Sequence, residues 1–225
     1  MGSAIASGAT IGTDTLISIE KIYGGSGNDS FSGLVDGLTL DGKGGSRDEV
    51  VYSNTGSTSL TVDLANGRAS NGVNASQTLA GIEYVTTGNG DDLLIGNTDA
   101  NLLSAGAGAD TLRAGDITGN AANDTLSGGS GSDTADYAGV SGALVLDMAA
   151  FADQSGTVSG SNVGVDQLIG IEIFKSGSGD DSLRGDARDN EIYGGSGADT
   201  LAGGNGADRL DGEGGTDWAS YAGDV

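Results

Sequence analysis

An acid or its amide recurs every nine residues between Ser176 and Ser220, as Asp181, Asn190, Asp199, Asp208 and Asp217. Each stands at the sixth place of five unbroken units: SGSGDDSLR, GDARDNEIY, GGSGADTLA, GGNGADRLD and GEGGTDWAS. Glycines crowd the first four places, and an apolar residue follows two after the acid (Leu183, Ile192, Leu201, Leu210, Ala219). Carboxylates repeated beside flexible turns are hard oxygen donors, and the chemistry they offer is the binding of a hard cation. The chain has no Cys and no His, which removes thiolate zinc sites and the usual proton shuttle.

The elements that hold these acids must form from an unpromising composition. Of 225 residues 44 are Gly and none is Pro, acids outnumber bases 32 to 9, and aromatics make up only 4%. Low hydrophobicity with a net charge of −23 describes a chain that stays open in plain water. Glycine also surrenders more backbone freedom on folding than any other residue. Folding therefore needs a further favourable term, and a bound cation supplies one. The same charge argues against nucleic acid and anionic membrane surfaces as partners. No apolar run approaches the roughly 20 residues that span a bilayer. The start, MGSAIASGATIG, has neither the basic region nor the apolar stretch of a secretory leader.

A larger unit repeats as well. DTLISIEKIYGGSGNDSFSG (Asp14–Gly33) returns as QTLAGIEYVTTGNGDDLLIG (Gln77–Gly96) and as DQLIGIEIFKSGSGDDSLRG (Asp166–Gly185). Each copy carries an Ile-Glu pair (Ile19-Glu20, Ile82-Glu83, Ile171-Glu172) and closes on an acid followed by a tyrosine: Asp48 and Tyr52, Asp133 and Tyr137, Asp217 and Tyr221. Alternating apolar residues then predict a strand, with Leu60, Val62 and Leu64 matching Leu144, Leu146 and Met148. The chain divides into a degenerate first unit (1–65), a second (66–149, nonapeptide block 87–137) and a third (150–225, block 176–221). The third stops at YAGDV where its strand should begin, which reads as a slice of a longer protein. The middle block runs Asp92, Asn101, Asp110, Asp124 and Asp133, with a five-residue insertion near Asp116–Asn120. The first unit fits fully only around Asp29 and resumes around Asp48.

The motif G-G-x-G-x-D-x-U-x resembles the RTX (hemolysin-type) calcium-binding nonapeptide repeats of bacterial exported proteins. The resemblance implies an all-β fold, a right-handed parallel β-roll or solenoid, two nonapeptides to a turn, with calcium ions in the glycine-rich turns. It makes Asp92, Asp110, Asp124, Asp133, Asp181, Asp199, Asp208 and Asp217 side-chain ligands, and Asp29 and Asp48 likewise. Asn101 and Asn190 bring an oxygen but no charge, so their turns should bind more weakly. The turn glycines at the motif's second and fourth places are Gly25, Gly27, Gly88, Gly90, Gly106, Gly108, Gly129, Gly131, Gly177, Gly179, Gly195, Gly197, Gly204 and Gly206. Units eighteen residues apart then share a side of the roll. Asp181, Asp199 and Asp217 form one column, and Asn190 and Asp208 the other. Carboxylates about 5 Å apart repel by roughly 1 kcal/mol in water, and a divalent ion between them reverses that sign. Calcium, with six to eight oxygens in loose geometry, suits such turns better than magnesium.

The function this implies is a non-catalytic calcium-binding module, folded by calcium outside the cell, that structures a secreted or surface protein and assists type I secretion. Its partners are then calcium, the remainder of a larger parent chain, and a polysaccharide or cell surface. The alternatives are a calcium-stabilised carbohydrate-binding or polysaccharide-modifying solenoid, or an adhesin or surface-layer stalk. For a sugar platform the candidates are Trp218, Tyr137 and Tyr221, though aromatics at the end of a repeat block more simply plug its open core. Asp63 and Asp147 could serve as an acid–base pair, but no third polar partner stands near. The recurring Glu20, Glu83 and Glu172 read as structural turn bonds. Arg113, Arg184, Arg209 and Lys175 read as solvated charges.

Overall fold

The computed structural model describes residues 4–8, 12–33, 36–53, 56–72, 76–115, 122–149 and 155–221. The insertion expected at Asp116–Asn120 lies outside them. Every regular element among the described residues is a β-strand. The x-U-x half of each nonapeptide forms a strand of about three residues with its middle side chain inward, as in Leu93–Ile95, Ser182–Arg184 and Glu191–Tyr193. The glycine-rich half turns the chain over to the opposite sheet. A strand therefore pairs in parallel with the strand eighteen residues on, Ser182 against Thr200 and Glu191 against Arg209.

The result is the parallel β-roll that the motif implies. Two sheets of eleven strands share one core. Val62, Leu94, Leu112, Phe174 and Ile192 come from one sheet, and Val50, Val85, Leu103, Leu126, Leu168, Leu183 and Leu201 from the other, all buried. Complete burial of one such side chain is worth roughly 1.5–3 kcal/mol. Spread over nine residues, that does not offset about 1–2 kcal/mol of backbone entropy for every residue fixed. A short antiparallel hairpin, Ala4–Gly8 with Gly12–Leu16, stands apart from both sheets.

The lead-in segments continue the roll, but by a detour. After Tyr52 the chain skips two strand places and lays down Thr61–Asp63. It returns antiparallel through Arg68–Ser70, then forward through Ser76–Ala80, which closes against the earlier strand Thr39–Asp41. After Tyr137 the same path is drawn in the other sheet by Leu144–Asp147, Ser155–Gly160 and Gly164–Ile169, which closes against Thr125–Gly131. The advanced strand of each detour later receives the first strand of the next block, Leu93–Ile95 on Thr61–Asp63 and Ser182–Arg184 on Leu144–Asp147. Leu60, Val62, Leu64, Leu144, Leu146 and Met148 are buried, as the alternation predicts.

Each jump is anchored by its tyrosine. Tyr52 and Tyr137 are fully buried. The Tyr52 hydroxyl donates to Gln77 Oε1 at 2.7 Å, and the Tyr137 hydroxyl to Asp166 Oδ2 at 2.7 Å. The Tyr137 ring stacks on Phe174 with centroids 5.4 Å apart. The reading of these aromatics as end plugs is corrected here. Trp218 and Tyr221 are 56% and 75% exposed, whereas Tyr52 and Tyr137 fill the interior where the chain vacates a strand place. A ring with one polar tip suits that position, since it fills the void and reaches a buried acceptor. Buried Tyr137 is no part of a sugar platform.

Tyr137→Phe should therefore destabilise the calcium-saturated chain by about 1–3 kcal/mol, because Asp166 Oδ2 loses its donor inside the core. Tyr221→Phe should change almost nothing. Urea unfolding of the two variants measures the difference.

Candidate metal centre

The strand registers set the sixth-place residues one above another in two columns. The first runs Asp29, Asp48, Glu83, Asn101, Asp124 and Asp166, is interrupted by the second detour, and resumes with Leu144, Asp181, Asp199 and Asp217. The second runs Leu60, Asp92, Asp110, Asp133, Glu172, Asn190 and Asp208. The twelve sixth-place residues named from the sequence all lie in these columns, with Asp181, Asp199 and Asp217 together and Asn190 beside Asp208.

The glycine motif missed three members that stand outside the nonapeptides, Glu83, Asp166 and Glu172, although Glu83 and Glu172 keep the nine-residue spacing to Asp92 and Asp181. Glu83 Oε2 accepts the Asp48 amide at 2.9 Å, and Glu172 Oε2 the Asp133 amide at 3.0 Å. The Ile-Glu pairs of the second and third units thus mark the rung where a glutamate takes over the column. For Glu83 and Glu172 the role is the turn bond that their recurrence suggests.

One oxygen of each column acid is used by the protein itself. Oδ1 accepts the backbone amide of the preceding rung: Asp92 N to Asp110 at 2.7 Å, Asp110 N to Asp133 at 2.9 Å, Asp181 N to Asp199 at 2.8 Å and Asp199 N to Asp217 at 3.0 Å. Where the detour places a leucine, its amide donates in the same way, Leu60 N to Asp92 and Leu144 N to Asp181, both at 2.7 Å. The second oxygen is the anomaly. Oδ2 of Asp92, Asp110, Asp133 and Asp199 is buried without a hydrogen-bond partner, on side chains at most 3% exposed. A buried carboxylate oxygen in that state carries a large desolvation cost.

The electrostatics record that cost. Burial pushes the Asp124 carboxyl up to about 7 and those of Asp110 and Asp166 up to about 6. Burial also raises Asp92, Asp133, Asp181 and Asp199, against the downward pull of the amides donated to them.

The turns are cut to leave room for these carboxylates. A Cβ at first-place Gly24, Gly42, Gly128, Gly194, Gly203 or Gly212 would collide with Oδ2 of the acid five or six places on. Attention to the second and fourth places overlooked these glycines. Thr87, Ala105 and Ser176 stand at the first place before Asp92, Asp110 and Asp181, and the Ser176 hydroxyl donates to Asp181 Oδ2.

Among the second- and fourth-place glycines, Gly131 shows why the residue is needed. Its φ is 145°, and a Cβ there would strike Gly108 O of the rung below. Positive φ recurs at Gly90, Gly106, Gly108, Gly129, Gly195, Gly197, Gly204 and Gly206. At Gly177 and Gly179 backbone crowding alone excludes a side chain, and Gly88 lies against Ser53. Gly25 and Gly27 differ: neither has positive φ or crowding of its own, and the crowding falls instead on the next turn, where a Cβ at Gly45 would meet Gly27 O at 2.7 Å.

Asn101 and Asn190 are built differently. Their Oδ1 atoms turn back into their own loops, accepting Asn97 N at 2.7 Å and Asp186 N at 2.9 Å. No φ at the second and fourth places of these two loops is positive. The bases expected as solvated charges are also paired, Arg113 with Asp136 at 2.7 Å, Arg184 with Asp147 at 3.9 Å and Arg209 with Asp211 at 2.8 Å. Being about half exposed, these pairs add little stability. Asp63 and Asp147 lie in different detours on different sheets. Asp63 accepts from Asn66 in its own turn, so the two form no acid–base pair.

The donor set fits a hard cation. Among the described residues no three acidic side chains converge on one point. Each aspartate rung instead offers one carboxylate beside the carbonyls of its turn, and at Asp92, Asp110, Asp133 and Asp199 that carboxylate keeps a buried oxygen without a partner. Calcium accepts such a mixture of carboxylate and carbonyl oxygens. A search of the curated proteins found none that matches. The family model described as the RTX calcium-binding nonapeptide repeat matches residues 19–35, 86–116, 116–135, 167–197, 175–210 and 184–219, together just over half of the chain. The chain therefore belongs to the RTX calcium-binding nonapeptide repeat family.

Proposed function

We propose that this calcium-binding repeat module is non-catalytic, folds on meeting calcium outside the cell, gives shape to a secreted or surface protein and assists its type I secretion. The observation that carries the reading is the row of buried, partnerless Oδ2 atoms on Asp92, Asp110, Asp133 and Asp199. In this reading Asp29, Asp48, Asp92, Asp110, Asp124, Asp133, Asp181, Asp199, Asp208 and Asp217 are the side-chain donors, completed by turn carbonyls. Bound calcium supplies the positive charge that these desolvated carboxylates lack.

The residues make this a switch. With calcium scarce, as inside a cell, 32 acids against 9 bases keep the chain open and fit for export. Where calcium is abundant, only the folded form offers the columns. A site held at one hundred times its Kd then stabilises that form by roughly 2.7 kcal/mol. Among the described residues Asp63 and Asp147 stand on different sheets and Tyr137 is buried, so these candidates lend the polysaccharide-acting alternative no support.

Circular dichroism of the chain in chelator should show little β signal, with a cooperative gain as calcium is added. A spectrum indifferent to calcium would overturn the reading. Asp110→Asn keeps the Oδ1 acceptor for the Asp92 amide but removes the charge, so it should raise the calcium midpoint severalfold. Asp63→Asn, outside the columns, should leave the midpoint unchanged.

The pH dependence follows from the raised carboxyls. The calcium-free folded chain holds protons on Asp110, Asp124 and Asp166 up to about pH 6–7, whereas the unfolded chain loses them near the ordinary value of 3.8. Their contribution is thus present at low pH and is lost as pH rises from about 4 to 7. In chelator, β signal should be greater at pH 5 than at pH 7.5; the reverse order would contradict the burial of these groups.

A further inference from the structure

The two asparagine turns, 96–101 and 185–190, occupy the same station in successive units, each one rung beyond the column glutamate. Both are closed by side chains where other turns rely on glycine. Asn97 Oδ1 accepts the Asp99 amide at 2.8 Å, and Asp186 Oδ1 accepts the Arg188 amide at 2.8 Å. The asparagine oxygen then takes the amide at the second place. The main-chain closure of the two turns is the same, although the second-place residue is a neutral amide, Asn97, in one and a carboxylate, Asp186, in the other. They differ most at the fourth place, which is Asp99 in one and Arg188 in the other.

Arg188 reaches back to the glutamate rung. Its Nη1 lies 2.7 Å from Glu172 Oε1, its Nη2 lies 2.8 Å from Asp186 Oδ2 and 3.3 Å from Ile171 O, and its Nε donates to Asp186 Oδ2 at 2.9 Å. Two carboxylates and a main-chain carbonyl are the donor types that a hard cation takes from a turn. Glu172 is also the column residue, since its other oxygen holds the Asp133 amide. The guanidinium is permanently charged, planar and matched to carboxylates. It is only partly exposed, with 28% of the side chain open to solvent, so solvent screens these pairs less than those of the half-exposed Arg184 and Arg209. At Glu83 the corresponding position is an acid, which adds negative charge to the rung instead of removing it.

We propose that Arg188 is a tethered substitute for a metal ion, closing the Glu172–Asn190 rung without calcium, while the equivalent Glu83–Asn101 rung depends on a bound ion. The inference rests on the calcium reading above and goes beyond it, because it divides two like-looking turns into one that carries its own cation and one that does not.

The test uses the full chain with calcium as the only probe. Bound ions are counted by equilibrium dialysis, and the midpoint of the calcium-induced β signal is measured. Arg188→Gln should raise that midpoint severalfold, bind one ion more at saturation, and reach the final signal of the unaltered chain. Asp99→Arg should do the opposite, binding one ion fewer. Arg113→Gln, which breaks an outer-face pair, serves as the control and should shift neither quantity. An Arg188→Gln chain indistinguishable from the Arg113→Gln control, or one that never reaches the final signal in saturating calcium, would overturn the proposal. So would Asp99→Arg with an unchanged ion count. If the unaltered chain bound no calcium at all, the broader calcium reading would fail first, so the two failures are distinguishable.

Discussion

A buried carboxylate with one oxygen satisfied and the other stranded is the constraint on which this roll is organised. Oδ1 of each column aspartate closes the backbone of the preceding rung, so the acid cannot swing outward to find water without breaking the stack. Oδ2 is thereby held in the dry interior of the turn. The aliphatic seam is too thin to bear that cost alone, because a nonapeptide buries at most one such Leu, Ile or Val, and only Ala135 after Asp133, while it orders nine residues. The first-place glycines follow from the same geometry, since a methyl group there would occupy the carboxylate's space.

The detours explain why the roll is not a plain solenoid. In a plain solenoid each repeat touches only its sequence neighbours. Here the strand Leu144–Asp147 is placed before the strands that will flank it exist, and it stays unpaired along one edge until Ser182–Arg184 arrives. Tyr137 ties the two ends of that path, filling the vacated core place and bonding to Asp166, itself a column residue that receives the Asp124 amide at 2.9 Å. Tyr52 and Gln77 do the same in the first detour. The difference between Asp166 and Gln77 matters, since only the former extends a column of charge.

Much of this was legible because a nonapeptide register fixes both strand pairing and side-chain direction. Knowing that Asp181 and Asp199 are eighteen residues apart suffices to stack them, and the inward Leu183 and Leu201 follow from a period of two. The core role of Leu60, Val62 and Leu64 was visible in their alternation. Their place in the sheet was not, because pairing across a skipped gap leaves no local signature. Glu83 and Glu172 escaped recognition as column members although each stands nine residues before the next acid, Asp92 or Asp181, because no glycine-rich turn precedes them; Asp166 has no acid nine residues away, and only the register places it. The end-plug reading fails for Tyr137 because an aromatic at the end of a block signals an end in sequence, whereas in space the roll continues past it.

The detours also bear on cooperativity. The antiparallel return in each unit pairs on one side with the advanced strand, whose other edge awaits the next block, and on the other with the strand that closes against an earlier one. A unit can therefore complete its sheet only when the following nonapeptide block is in place. The block in turn begins with an acid, Asp92 or Asp181, whose Oδ1 holds the amide of Leu60 or Leu144 from the detour. Column rungs and detour strands are thus linked by hydrogen bonds across each junction. Stability gained at one column is transmitted to the detour strands, and a chain of short repeats acquires interfaces longer than its repeat. A sequence rich in glycine and poor in aromatics gains cooperativity from this interlacing, which its seam of aliphatic residues could not provide.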